Sequence, residues 1–329
     1  MGGNTVYVTR KPRNGVLRLL EPIGRVVEWG EERPVPREEL LTRIREADAL
    51  LCMGDDHIDR AVIEAGRRLK VISTASAGYD HIDVEAASAR NIIVCHTPGV
   101  ADNAVADMTI ALLLACARSV IEANQFIRER AWRYWSPYLF EGADVRGSTL
   151  GIVGLGRIGI EVAHRALGFG MRVLYYNTRR DEDAEQSMGL QYGSLDNLLR
   201  EADFVTLHVP LTRETYGLID ERRLRLMKRN AYLINMARGA VVDHDALVRA
   251  LREGWIAGAG LDVFNKEPLP ADDPLLDLPN VVLSPHIGAN TQHAMSTMLR
   301  IAAEQIMQVL RGQQPSHPVP VISSGRRAA

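Results

Sequence analysis

Short apolar runs rich in β-branched residues alternate with helix-period segments along nearly the whole chain, and this alternation most narrows the fold. The early runs are Thr5–Thr9, Arg25–Trp29, Ala49–Met53, Lys70–Thr74 and Ile92–Cys95, with helical patterns such as Arg37–Ile44 and Asp59–Ala65 between them. The later runs are Ser148–Val153, Met171–Tyr176, Phe204–His208, Ala231–Asn235, Ala257–Val263 and Val281–Ser284. A strand that is apolar on both faces and flanked by helices belongs in a parallel sheet covered on both sides. The pattern predicts an α/β protein with two doubly wound parallel-sheet domains.

The length of 329 residues suits two domains of roughly 150 residues each. A long helical segment, about Asn103 to Arg130, follows the turn signal His96-Thr-Pro-Gly99. The last helical stretch, about Thr291 to Arg311, has no strand after it and is expected to pack back on the first domain. The expected boundaries are 1–101 plus 289–329 for one domain and 102–288 for the other. Ser323–Ala329 reads as a frayed tail.

Composition excludes several function classes. Lys and Arg total 39 against 41 Asp and Glu, a net charge of −2, which leaves no electrostatic footprint for nucleic acid or an anionic membrane. Cys52, Cys95 and Cys116 form no CxxC, so a reducing compartment and no metal cage are expected. The most apolar stretch, Met108–Ala117, is about half of what spans a bilayer. No basic start precedes an apolar signal region. The expected location is the cytoplasm.

The strongest local motif is Gly154-Leu-Gly156-Arg-Ile-Gly159, placed between the apolar strand Leu150–Val153 and the helical segment Ile158–Phe169. In that strand–turn–helix setting the glycines point to a dinucleotide. Gly154 allows the tight turn, Gly156 lets the backbone approach a pyrophosphate, and Gly159 lets helix and sheet pack closely. Arg157 and Ile158 open the helix whose free N–H groups face the phosphates. A Gly-rich turn in an ordinary βαβ unit is the bland alternative.

The next strand ends at Tyr176 and continues Asn177-Thr178-Arg179-Arg180. An NAD site usually places Asp or Glu there, about 20 residues after the glycines, to hold the ribose hydroxyls. Asn177 with Arg179 and Arg180 would instead welcome a 2′-phosphate. NADP(H) is therefore expected in preference to NAD(H). A solvated basic loop, blunted by Asp181, Glu182 and Asp183, is the alternative.

Three later strands each run into polar groups: Arg238, then Asp262 and Glu267, then His286. Ligands of open α/β sheets bind beyond the carboxyl ends of the strands. Reduction of a 2-keto acid places a hydride on the carbonyl carbon and negative charge on its oxygen. A protonated His can supply the proton, a carboxylate can raise its pKa, and an Arg can clamp the substrate carboxylate. His57, His81, His96 and His208 are other candidates, but none combines a strand end, a following Gly and a late position as His286 does.

Val153–Gly159, Asn235–Asp243, Gly260–Pro268 and Ser284–Gly288, with Ser76–Asp83 earlier, together resemble the ordered motifs of the D-isomer-specific 2-hydroxyacid dehydrogenases. Within that family the chain is most similar to glyoxylate/hydroxypyruvate reductases, through Trp132–Pro137 and Pro268–Asp277. The resemblance implies a flavodoxin-like substrate domain and a Rossmann cofactor domain. It implies catalytic Arg238, Glu267 and His286, with Arg238 and His286 also contacting substrate. It further implies that the N–H groups of Ala77 and Gly78 bind the substrate carboxylate. Asp262 is implied at the nicotinamide carboxamide, and Val209, Pro210 and Thr215 along the cofactor. Two positions depart from the pattern: Ala289 where many relatives have Ser, and Asp107 where the family usually has Glu.

Trp132, Tyr134, Trp135, Tyr138 and Phe140 crowd one short segment. Aromatics anchor buried interfaces, and the resemblance implies a homodimer here, with Trp135 reaching toward the neighbouring subunit's site. A satellite core under a loop is the alternative. The expected activity is NADP-preferring reduction of small 2-keto acids such as glyoxylate and hydroxypyruvate. A dinucleotide-sensing, co-repressor-like binding protein and a phosphite dehydrogenase remain alternatives on the same scaffold.

Overall fold

The computed structural model describes residues 3–12 and 15–320; the expected tail, Ser323–Ala329, lies outside them. The chain divides into two compact units, one of Met1–Ala101 with Asn290–Ala329, the other of Asp102–Ala289.

The first unit contains β1 (Asn4–Val8), β2 (Gly24–Glu28), β3 (Ala49–Cys52), β4 (Val71–Thr74) and β5 (Ile93–Cys95). They form one parallel sheet in the order β2-β1-β3-β4-β5. Between them lie α1 (Leu17–Leu20), α2 (Arg37–Arg43), α3 (Arg60–Ala65) and α4 (Val84–Ala89). β3 and β4 are buried at every position, which explains why they read as unbroken apolar runs. Asp59 and Asp83 start α3 and α4 by accepting the N–H of Val62 and Ala86, satisfying donors that a helix leaves unpaired.

The second unit opens with α5 (Asp102–Ala117) and α6 (Val120–Arg128). It continues β6 (Thr149–Val153), α7 (Arg157–Gly168), β7 (Arg172–Tyr176), α8 (Glu182–Met188), β8 (Gln191–Tyr192), α9 (Leu195–Glu201) and β9 (Phe204–Leu207). It closes with α10 (Glu221–Leu224), β10 (Tyr232–Asn235), α11 (His244–Arg252), β11 (Gly258–Leu261) and β12 (Val281–Leu283). The sheet is parallel throughout, ordered β12-β11-β10-β9-β6-β7-β8, and its order reverses between β6 and β9. Val205, Leu207 and Leu233 pack with Leu198, Leu199, Leu247 and Leu251 on one face. α5 and α7 pack together, and α5 also packs on β10 and β11.

Finally α12 (Gln292–Leu310), capped by Thr291, packs on β3, β4 and α1 of the first unit through buried residues including Met298, Ala302 and Ile306. Ala289 belongs with the second unit, one residue later than expected. The neighbouring Gly288 N–H is tied to Asp262 at 2.8 Å, which holds the chain there.

The long helix expected over 103–130 is two helices, bent by 64°. Ser119 takes a left-handed φ of 46°, and the Ala117 carbonyl, released from the helix, accepts the Ala143 N–H at 2.8 Å. Among the described residues no single helix is long and apolar enough to cross a membrane; the apolar side chains of α5, including Leu112, Leu113 and Cys116, are buried in the unit.

Candidate active site

The carboxyl ends of β6 and β9 flank the point where the strand order reverses, the usual ligand crevice of such a sheet. The glycine turn sits there. Gly154 has a φ of +99° and donates to the Tyr176 carbonyl at 2.9 Å; a Cβ on it would meet the His208 carbonyl carbon at 2.8 Å and Val209 Cγ1 at 2.9 Å. A Cβ on Gly159 would meet the Gly154 oxygen at 2.3 Å, so the helix rests directly on the turn. Gly156 is the opposite case: nothing lies within 4 Å of where its Cβ would stand. Open space at the N-cap of a 12-residue helix, with no side chain capping its N–H groups, fits a dinucleotide pyrophosphate. Ile158 is half-buried, and Arg157 Nε donates to Asp102 at 2.8 Å while its side chain stays 71% exposed.

At the end of β7, Asn177 Nδ2 donates to the Leu155 carbonyl at 3.3 Å, and no carboxylate occupies its position. Thr178, Arg179 and Arg180 are exposed. The acidic competitor for these arginines is not Asp181–Asp183. Asp181 caps α8, whereas Glu185 takes both Nε and Nη2 of Arg180, at 2.7 and 2.6 Å. Arg180, and then the Tyr175 hydroxyl, hold the Glu185 carboxyl down to about 2. Arg179 makes no ion pair among the described residues. Beyond β9, Thr215 Oγ1 donates to the Pro210 carbonyl at 2.6 Å and accepts the Thr212 N–H at 2.8 Å, closing the loop that carries Val209.

The ends of β10, β11 and β12 bring the acid–base candidates together. Asn235, 1% exposed, shapes the turn after β10: its Nδ2 donates to the Arg238 carbonyl and its Oδ1 accepts the Ala237 N–H, both at 3.0 Å. Gly239 then lies so close to the Phe264–Asn265 backbone that a Cβ would sit 2.0 Å from the Phe264 carbonyl carbon. Only glycine lets the Arg238 turn dock on the turn bearing Glu267. Glu267 Oε1 accepts the Phe264 N–H at 2.9 Å, and its Oε2 accepts His286 Nδ1 at 2.6 Å. The Glu267–Pro268 peptide is cis.

Asp262 holds the other side. Its Oδ1 accepts the Ser284 hydroxyl at 2.6 Å and the Ile287 N–H at 2.9 Å, and its Oδ2 accepts the Gly288 N–H at 2.8 Å. His286, with a φ of +53°, is thus pinned before and after its own position. With Nδ1 committed to Glu267, Nε2 is the ring atom left to exchange a proton. The hydrogen bond from Glu267 raises the His286 pKa above its ordinary value, against burial and the repulsion of Arg238. Burial lifts the Glu267 carboxyl, but the His286 and Phe264 hydrogen bonds and the Arg238 charge bring it below its ordinary value.

Sequence reasoning singled out Arg238, Glu267, Asp262 and His286; it assigned no role to Asn235, Gly239, Ser284 or Glu185. Glycine and asparagine flanking a candidate arginine were the available signal. Asp107, the shortened acid of α5, still reaches Arg165 at 2.7 Å. His208 is no rival to His286: burial pushes its imidazole down to about 3. Burial also pushes the Cys95 and Cys116 thiols up to about 12, away from nucleophilic use. Among the described residues no group of three His, Cys, Asp or Glu could hold a metal.

Ala77 and Gly78 follow β4 in the first unit, where the Ala77 carbonyl accepts His96 Nδ1 at 2.7 Å. The aromatic segment is not a satellite core. Trp132, Tyr134, Trp135 and Tyr138 are 55–79% exposed, and only Phe140 packs inward, edge-on to Phe126 at 5.4 Å.

Residues 110–288 match the family model described as D-isomer specific 2-hydroxyacid dehydrogenase, NAD binding domain. The chain is 50% identical over 313 residues to a glyoxylate reductase of Thermofilum pendens, covering 94% of this chain and 92% of that one. It is 48% identical over 314 residues to a glyoxylate reductase of Pyrococcus horikoshii, covering 94% of each. A Thermus thermophilus crystal structure superposes with a TM-score of 0.90 at 46% identity, over 96% of this chain and all of that one. The NADPH-dependent glyoxylate/hydroxypyruvate reductase of Sinorhizobium meliloti, solved with NADP and malonate, gives 0.84 at 30% identity, over 100% of each chain.

Proposed function

The chain belongs to the D-isomer-specific 2-hydroxyacid dehydrogenase family, and from that premise we propose that it reduces glyoxylate and hydroxypyruvate with NADPH, giving the D acid where a stereocentre forms. The His286–Glu267 pair, 2.6 Å apart and facing the charge of Arg238, carries the reading. Arg238 pairs with the substrate carboxylate and polarises the ketone, a task suited to a forked donor. In the first unit, the N–H groups of Ala77 and Gly78 are the assigned donors to a substrate carboxylate. His286 passes its Nε2 proton to the ketone oxygen, and Glu267 stabilises the imidazolium beforehand. Asp262 keeps the His286 turn in place. The nicotinamide, when bound, supplies the hydride to the carbonyl carbon.

Gly154, Gly156, Arg157, Ile158 and Gly159 hold the pyrophosphate, and Val209, Pro210 and Thr215 line the cofactor. Asn177, Thr178, Arg179 and Arg180 take the 2′-phosphate of NADPH, with NADH as the poorer cofactor. The bound NADP of the Sinorhizobium relative supports this choice. The exposed aromatic segment supports a two-fold dimer in which Trp135 approaches the neighbouring site. Three buried free cysteines suit the reducing cytoplasm.

The test is loss of NADPH absorbance on adding glyoxylate, then hydroxypyruvate. Turnover of both is expected. Cofactor binding without turnover of either would overturn the reading in favour of a dinucleotide sensor.

A further inference from the structure

We propose that His96 is a positioning residue that aims the Gly78 N–H and thereby sets the affinity for the substrate carboxylate; this rests on the assignment of Ala77 and Gly78 to that carboxylate. The loop after β4 has its carbonyls tied down one by one. Ser76 O accepts the Thr97 N–H at 2.9 Å, Ala77 O accepts His96 Nδ1 at 2.7 Å, and Gly78 O accepts Ser76 Oγ at 2.7 Å. Ser76 Oγ is itself 2.8 Å from Thr74 Oγ1.

A trans peptide is planar, so each N–H points opposite to the carbonyl that precedes it. Fixing Ser76 O therefore aims the Ala77 N–H, and fixing Ala77 O aims the Gly78 N–H. Neither amide donates to an acceptor among the described residues. Successive aligned N–H groups of this kind form an anion-binding concavity. The Ala77 amide is aimed by a backbone contact, but the Gly78 amide is aimed by a side chain, that of His96.

His96 is held for the purpose. Its N–H donates to the His317 carbonyl at 3.2 Å, and its carbonyl accepts Nε2 of the fully buried Gln305 of α12 at 3.1 Å. Gln305 Oε1 also accepts the His317 N–H at 2.9 Å. The His96 ring stands edge-on to Tyr79, with centroids 5.2 Å apart. Because a carbonyl only accepts, Nδ1 must be the donor to Ala77 O.

The experiment uses the full chain with His96→Leu and His96→Asn, the latter keeping a donor near the Nδ1 position. Glyoxylate and NADPH kinetics are measured with oxamate as the competing carboxylate. His96→Leu is expected to raise the glyoxylate KM and the oxamate Ki about tenfold, the low end for a charge-assisted hydrogen bond. kcat, the NADPH KM and the pH profile should stay near wild type, and His96→Asn should restore most of the affinity. Should the leucine variant not fold, His96→Ser, too short to reach Ala77 O, carries the same comparison. An unchanged glyoxylate KM in the folded variant, or an NADPH KM that rises with it, overturns the proposal. Failure of the underlying reading shows in the wild type itself, as no turnover of glyoxylate or no competition by oxamate.

Discussion

Arg180 grips Glu185 with two nitrogens, at 2.7 and 2.6 Å, on the rim proposed for the 2′-phosphate. The two arginines there are therefore unequal: Arg179 is exposed and unpaired among the described residues, whereas Arg180 must leave a carboxylate to reach a phosphate. Arg179→Ala should lower kcat/KM for NADPH about tenfold and leave NADH use unchanged. Arg180→Ala should do less. Glu185→Gln should raise NADPH use severalfold, most clearly at low salt, where exposed charges are least screened. Steady-state kinetics with both cofactors decide this; equal losses for NADPH and NADH would mean the loop does not read the phosphate.

His286→Gln should bind NADPH as the wild type does and lose roughly 10²- to 10⁴-fold in kcat, the usual worth of a general acid. Cofactor fluorescence titration and turnover are the paired measurements. Normal turnover would remove His286 from the mechanism.

The charge of Glu267 fixes the sign of the pH dependence. His286 is protonated to a higher pH than a free imidazole, so reduction should persist to a higher pH than an unpaired imidazole would allow and fall as pH rises through that raised pKa. Oxidation of the 2-hydroxy acid needs the neutral ring and should rise over the same interval. In Glu267→Gln, where burial and Arg238 still disfavour the imidazolium, the break should move to lower pH. Stability follows the same linkage. The His286 contribution is full below about 6.5 and lost as pH rises through the raised folded value. The Glu267 contribution is present above about 4.3 and lost as pH falls through its lowered one. A pH–rate break that stays in place in the variant would contradict the coupling.

Removing Asp262 orphans three donors: the Ser284 hydroxyl and the N–H groups of Ile287 and Gly288. Each buried unsatisfied donor costs about 1–3 kcal/mol. Asp262→Ala should lower the urea midpoint markedly and reduce kcat at least tenfold, because the His286 turn loses its anchor. Wild-type kcat in a folded variant would show that Glu267 alone holds the ring.

Apolar aromatic surface on this scale favours a partner. Sedimentation should give twice the 36.4 kDa chain mass. Trp135→Ala should change the glyoxylate KM more than the melting temperature. A fully active monomer would end the dimer proposal.

Much of the fold was legible because parallel strands buried on both faces leave apolar runs, and the candidate acid–base groups stand where those runs end. β8 escaped because Gln191 and Tyr192 sit exposed on the sheet edge and carry no apolar signature. The break at Ser119 escaped because Val120 and Ile121 continue a helical apolar pattern; the break accompanies a contact with distant Ala143. In the candidate site, Arg238, Glu267 and His286 were singled out by their places after successive strands, although each alone has a bland reading. Gly239 offered only its place beside Arg238, because its importance lies in close approach to the Phe264–Asn265 backbone after the neighbouring strand β11. Glu185 was missed for a related reason: it lies one helical turn inside α8 and reaches back.

A ribosome releases β1–β5 early but delivers α12 only after the whole of the second unit. Until then β3 and β4 lack the cover of Met298, Ala302 and Ile306. The second unit, an uninterrupted stretch of chain, can close first, while the first waits for its final helix. A messenger cut short after Ala289 would thus yield one finished sheet and one with its apolar face open to solvent, a species for chaperones and proteases to find.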